Sequence, residues 1–432
     1  MTPSGQDIGT RLRSVRTALA MTQRELAGDR YTTAYVSSIE AGRRQPSADA
    51  IEYLAGRLGI DVEELRDGRP STATLELRLA EARRLSSMGD AAQGRSEIEA
   101  VRTLAEQHGL RRLHAQALVA LGFWTLRSGN PRGGLGYYEQ AERLLRDEPD
   151  PTRAAAVAGQ ARCLRVLGDV RRALLAIERE LESLDRAGLP DPMALMVLNA
   201  HAVAPYMDLG MTARALKAAE TALHLAPQVE DPQQRADMYR AVARGFLQSN
   251  RVDEARTAVA RATELYDQLE MRTDVGQCHW TRGWVAARGP KPDLKGAAQA
   301  MEQAREIFVE TQSRYDEALV TIELADIVRR LGQFDRAREL IEGVEDYPEL
   351  VNSPAAYAES ERCLGLIAAD EDDVPTAIHR LERAITLFHQ AEELLEEART
   401  YRHLGDLRNA GGNLGGALDA YRQGLLAIDS GS

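Results

Sequence analysis

The chain has 432 residues, a formal net charge of −12 and only 5% aromatic residues. That length exceeds one ordinary core and calls for two domains or a repeat array. The acidic balance excludes wholesale coating of nucleic acid, so any such contact must come from a local patch. Cys163, Cys278 and Cys363 stand far apart with no C-x-x-C pair, which argues against a disulfide or metal framework and for a reducing cytoplasm. Residues 1–20 lack the apolar core of a signal peptide and no run of 18 apolar residues occurs, so a soluble cytoplasmic protein that neither enters nor crosses a membrane is expected. Aliphatic residues and alanine dominate, which favours helix over sheet, and an all-α fold is expected.

The first helix is predicted over residues 8–20, where Ile8, Leu12, Val15 and Leu19 share a face and arginines take the others. Thr22 is placed to cap a short second helix, with Glu25 three residues on as its capping-box partner. Thr32 suits the cap of a third helix that ends near Ala41, and Gly42 suits the reversal after it. Ser47 caps a fourth helix burying Ile51, Leu54 and Leu58, and Asp61 starts a brief fifth. Five short capped helices with a tight turn between the second and third describe a helix-turn-helix domain over residues 1–66.

The run I-x-x-R-L-R, MTQRELA, TTAYVSSIEAGRRQPS and IEYLAGRLGIDVEEL resembles the phage-repressor (XRE-type) helix-turn-helix family over about residues 6–66. The resemblance implies double-stranded DNA as a partner. Thr22 and Gln23 open the second helix, whose amides favour a phosphate, and Arg43 and Arg44 should grip the backbone. Arg16 and Glu40 match positions that pair in such repressors. Base reading falls to the exposed start of the third helix, Thr33, Ala34, Ser37 and Ser38, with the cap Thr32 beside them, Tyr35 on the flank, and Val36 and Ile39 pointing inward. These small groups favour thymine-methyl contacts, water bridges and shape readout over bidentate base recognition. Residues 1–46 carry seven arginines against four carboxylates; so small an excess suits a homodimer on an inverted repeat.

The polar stretch 67–74 reads as a linker, and residues 75–430 as a repeat array. Small residues fall at Gly94, Gly134, Ala173, Ala215, Ala255, Ala297, Ala337, Ala377 and Ala417, at spacings of 39 to 42. A second small position lies twelve residues earlier in most repeats (Ala82, Gly122, Ala161, Ala243, Ala325, Gly365, Gly405), and a Gly or Asn250 sits between the two. Helical hairpins meeting at small residues and joined by a glycine turn stack into an α-solenoid. The phrases ADIVRRLGQFDRARELI and LGDLRNAGGNLGGALDAYRQGL resemble tetratricopeptide repeats, and nine hairpins are counted. The sixth is distorted by GPKPD at 289–293, which leaves its register open.

A solenoid of this kind has a concave wall built from the first helix of each hairpin. Counted from the small residue of that helix, positions −6, −3, +1, +4 and +5 should face inward. They hold twelve arginines against seven carboxylates, an electropositive groove suited to a carboxylate or phosphate. Ligand contacts are assigned to Arg127, Arg162, Arg165, Arg240 and Arg244, with Gln277 and Trp280 or Trp284 holding a backbone and an apolar side chain. Phe123 also falls inward. Pro205, inside a helix, marks a point where a backbone hydrogen bond is lost. No H-E-x-x-H, phosphate loop or nucleophile elbow occurs, so neither an enzyme nor a cofactor is expected.

A repressor-like helix-turn-helix followed by tetratricopeptide repeats resembles the peptide-responsive (RRNPP-like) regulators of bacterial quorum sensing. The resemblance implies a homodimeric transcriptional regulator whose repeats bind a signalling peptide and thereby alter DNA binding. The alternatives are repeats that bind a protein partner or a small anionic metabolite, and a scaffold with a vestigial DNA-binding domain. Dimerisation is expected in the later hairpins, where an apolar end face follows the last repeat.

Overall fold

In a computed structural model the described residues are 8–19, 21–68, 71–146, 151–188, 190–288, 291–351 and 353–430. They are helical with short turns, and the chain divides into two compact units: residues 1–81 with 97–114, and residues 82–96 with 115–432.

The smaller unit contains the five short helices: α1 (Ile8–Ala18), α2 (Gln23–Ala27), α3 (Thr33–Glu40), α4 (Ala48–Leu58) and α5 (Val62–Asp67). Their ends follow from local chemistry. Thr22 Oγ1 accepts from the Glu25 amide while Glu25 accepts a bond from the Thr22 amide, and the Thr32 and Ser47 hydroxyls cap α3 and α4 by accepting from the Tyr35 and Ala50 amides. Leu12, Leu26, Val36, Ile39, Leu54 and Leu65 close the core. Helices α1 and α3 touch so closely that a Cβ on Gly9 would stand 2.0 Å from the Ile39 carbonyl oxygen, so only glycine fits there. Leu19, expected on the buried face, is instead 53% exposed; α1 stops at Ala18 and the turn carries Leu19 off the stripe. The segment read as a linker is shorter than 67–74. α5 runs to Asp67, Gly68 ends it in a left-handed conformation, and the next helix starts at Thr72 with Ser71 bonded to the Thr74 amide; Arg69 and Pro70 lie outside the described residues.

Among the described residues nine helix pairs follow in chain order: Thr72–Ser87 with Ala91–Gln107, Arg111–Arg127 with Pro131–Leu144, Pro151–Val166 with Val170–Ala187, Pro192–Asp208 with Thr212–Leu225, Pro232–Gln248 with Val252–Gln268, Arg272–Arg288 with Leu294–Glu310, Arg314–Arg330 with Phe334–Glu342, Pro354–Asp370 with Val374–Gln390, and Leu394–Ala410 with Leu414–Ser430. The small positions of both helices are buried in every repeat named above, because side chains larger than alanine would hold the paired backbones apart. The turn glycines Gly89, Gly129, Gly168, Gly210, Gly332 and Gly412, and Asn250, all take positive φ. The register of the sixth hairpin is settled by Gly283, where a Cβ would meet the Ala297 carbonyl oxygen at 3.0 Å.

The larger unit departs from a simple solenoid, in which each repeat touches only its neighbours. Thr273 Oγ1 donates to the Ser87 carbonyl (2.5 Å) and Ser87 Oγ donates to Asp274 (2.8 Å). Arg127 forks between Asp274 (3.0 Å) and Asp316 (2.7 Å). The turns of the first two hairpins are thereby fastened to the starts of the sixth and seventh, across as many as 189 residues of sequence.

Candidate functional site

In the smaller unit, α3 presents Thr32, Thr33 and Ala34 exposed and Tyr35, Ser37 and Ser38 half-buried, while Val36 and Ile39 are buried as expected. Arg16 grips Glu40 with two bonds, Nε to Oε1 at 2.6 Å and Nη2 to Oε2 at 3.0 Å, so the pairing of first and third helices expected of them is present. Gln23 Nε2 donates to the same carboxylate at 2.8 Å. Its side chain therefore braces α2 against α3, a contact that no spacing in the sequence signals. Burial would raise the pKa of Glu40, but the bonds from Arg16 and Gln23 outweigh it and hold the carboxyl below its ordinary value. Arg43 and Arg44 are exposed just past α3, and Arg44 lies over the Tyr35 ring at 4.8 Å, which itself stacks on Tyr31. Ser38 Oγ donates to the Tyr35 carbonyl, so its proton is already used.

In the larger unit a cavity of about 270 Å³ is lined entirely by first helices, those of the third to seventh hairpins. Seven of the eight residues assigned to ligand contact meet there: Arg162 and Arg165, Arg240 and Arg244, and Gln277, Trp280 and Trp284. Arg127 is the exception. It does not line the cavity, and its guanidinium is committed to Asp274 and Asp316.

The cavity also holds residues that the inward register left out. Ala241, Thr281 and Glu323 lie two residues before the small position of their helices, and so does His201 relative to Val203. The −2 position therefore faces the groove too. His201 Nδ1 lies 2.9 Å from the Val197 carbonyl. Burial, followed by the charge of Arg162, lowers its pKa to about 4, so the ring is neutral at pH 7 and Nδ1 donates, leaving Nε2 as an acceptor. Pro205 sits inside its helix, also on the cavity wall. Burial and then the nearby Arg165 pull the pKa of Arg244 down to about 10, the mark of a cation held where charge is costly.

Further along the groove the expected arginine excess is largely compensated. Arg329 pairs with Asp326 and Asp370, and Arg362 with Glu359 and Glu396. Glu396 lies outside the inward positions of its helix, so the groove holds more carboxylates than those positions supply. Among the described residues no group of His, Cys, Asp and Glu could hold a metal ion, and no helix is long and apolar enough to cross a membrane.

Residues 7–67 match the family model described as "Helix-turn-helix domain". The chain carries an N-terminal helix-turn-helix domain. The repeat region resembles in fold a Rap protein solved in complex with competence and sporulation factor, at 13% identity over 84% of this chain and 99% of that one, with a TM-score of 0.54. It resembles also the apo form of RapI, at 14% identity over 64% and 97% of the two chains and a TM-score of 0.50. A third likeness is to aspartyl phosphate phosphatase F from Bacillus subtilis, at 11% identity over 83% and 94%, again with a TM-score of 0.50. At such identities the likeness concerns the fold. No curated protein sequence matches the chain significantly.

Proposed function

We propose that this protein is a DNA-binding transcriptional regulator, active as a homodimer on an inverted repeat, whose repeat domain binds an anionic ligand and thereby modulates DNA binding. The observation that carries the reading is the convergence of Arg162, Arg165, Arg240 and Arg244 with two tryptophans in one cavity, beyond a helix-turn-helix domain whose reading helix is exposed at its start. Guanidinium forks suit carboxylate or phosphate, and the indole rings supply an apolar wall. A signalling peptide with a free carboxylate is the ligand of choice, in keeping with the family resemblance and with the fold shared with the Rap protein solved in complex with competence and sporulation factor. The cavity volume, about 270 Å³, falls at the small end of ligand pockets, which favours a small anionic metabolite as the second reading.

On the DNA side, Arg43 and Arg44 grip the phosphates, and Thr33, Ala34 and Ser37 read base methyls and groove shape. Genomic fragments retained by the purified protein identify the operator, and fluorescence anisotropy then measures its affinity. Arg43→Ala and Arg44→Ala should each weaken binding to every sequence and reduce the salt slope by about one. Mass spectrometry of what co-purifies names the ligand, and Arg240→Gln with Arg244→Gln should abolish its effect on DNA while the free protein still binds. A library with no enriched sites would end the regulator reading.

A further inference from the structure

The cavity can be assigned a more specific ligand class, resting on the ligand-binding reading just given. Five guanidinium groups and three carboxylates belong to it or contact its lining. Arg165 pairs with Asp208 at 3.2 Å, Arg240 with Asp237 at 3.9 Å, and Arg288 with Glu323 at 3.7 Å. Two cations remain. Among the described residues Arg162 and Arg244 have no carboxylate within 4.0 Å, and each instead lies over an aromatic ring, Arg162 over Phe123 at 5.2 Å and Arg244 over Trp284 at 5.0 Å.

These two cations belong to different electrostatic neighbourhoods. Arg162, on the third hairpin, acts together with Arg240 on His201, next to an Asp237 that already accepts from Tyr266 Oη at 2.5 Å. Arg244, on the fifth hairpin, is grouped with the cations Arg165 and Arg288 and the carboxylates Asp208 and Glu323. Each neighbourhood carries one uncompensated positive charge. A guanidinium beside an aromatic ring, with no carboxylate on it, keeps N–H groups for a planar, two-oxygen acceptor. A half-buried cation without a counter-charge is costly, and a ligand anion removes the cost.

We propose that the ligand presents two separate anionic groups to this cavity, one seated at Arg162 and the other at Arg244. The class that fits is a dicarboxylate, supplied either by a peptide with an acidic side chain and a free C-terminus or by a small dicarboxylic acid. Ala200, Ala204 and Pro205 on the fourth hairpin, and Trp280 and Trp284 on the sixth, give the cavity an apolar wall for the carbon chain that joins the two charges. A single monoanion would leave one of the arginines uncompensated.

The test uses the full chain and isothermal titration at fixed ionic strength. The first probes are linear dicarboxylates from succinate to suberate, each set against the monocarboxylate of the same length. A second arm uses glutamate-containing tripeptides with free and amidated C-termini. A dicarboxylate of one preferred length should bind about tenfold tighter than its monocarboxylate, and free tripeptides should exceed amidated ones by a similar factor if the source is a peptide. Arg162→Met and Arg244→Met should each reduce the preferred probe to the monocarboxylate level. Arg162→Lys and Arg244→Lys, which keep the charge and guard against loss of folding, should recover part of the affinity. Equal binding of mono- and dicarboxylates, dependence on only one of the two arginines, or no binding by any probe would overturn the two-anion assignment. The parent reading fails separately. Tight dicarboxylate binding without effect on operator affinity would end the regulatory coupling and leave this assignment standing, whereas a singly charged co-purifying ligand that alters operator affinity would do the reverse.

Discussion

Arg127 offers a sharp test, because its residue type and register point to ligand contact while its surroundings point to structure. Its side chain is 19% exposed and bridges Asp274, 2% exposed, and Asp316, 10% exposed. Burial disfavours the guanidinium charge, but the two carboxylates outweigh it and raise the pKa above its ordinary value. Arg127→Met keeps most of the apolar stem and removes the charge, leaving two buried carboxylates without their shared cation. Breaking a buried pair from one side costs about 3–5 kcal/mol, and here the loss falls on a contact that fastens the second hairpin to the sixth and seventh. Urea denaturation followed by far-ultraviolet circular dichroism should show that loss, and hydrogen exchange should place the weakening in residues 111–144 and 272–330. Adding Asp274→Asn and Asp316→Asn to Arg127→Met should restore part of the stability, since the triple variant buries no unpaired charge. Affinity for an anionic ligand in the folded variant should stay within about twofold, a change of about 0.4 kcal/mol. A variant as stable as the parent but unable to bind the ligand would refute this account and return Arg127 to the ligand site.

Other expectations follow from the same geometry. Glu40 has a folded pKa below its unfolded one, so it contributes stability that is present above the unfolded carboxylate range and lost as pH falls through the folded value; Glu40→Gln should flatten that acid limb in melts of the isolated helix-turn-helix domain. His201 titrates near 4 in the folded chain against about 6.5 unfolded, so its contribution is full above about pH 6.5 and fades towards pH 4, and His201→Gln should remove this part of the pH dependence. Leu414, Leu418 and Leu425 on the last helix are 66–70% exposed; if they cover a second copy of the chain, Leu418→Glu with Leu425→Glu should convert a dimer to a monomer in sedimentation velocity, and an unchanged sedimentation coefficient would place the dimer contact elsewhere.

Much of the architecture could be read from the chain because its causes are local. Thr22 with Glu25, Thr32 and Ser47 announce three helix starts within four residues of the bonds they make. The small residues recur at about forty because two helices can touch only there, and glycine marks the hairpin turns because few other residues tolerate positive φ. That register sufficed to bring seven of the eight assigned residues to one cavity. What it omitted, the −2 position with His201 and Glu323, depends on how far one hairpin rotates against the next, and a repeat spacing does not encode that angle.

The rest was decided by tertiary structure. No periodicity relates Arg127 to Asp274 and Asp316, which lie 147 and 189 residues away; those contacts exist because the winding of the repeats returns early turns to late helices. The groove's electrostatics were settled in the same way. Arg329, Arg362 and Arg162 are alike in sequence, each at an inward position of a first helix, yet two are matched by carboxylates and Arg162 is not. A guanidinium becomes a ligand contact or a structural cross-link according to which acids reach within about 4 Å of it, and that distance is a property of the folded chain alone.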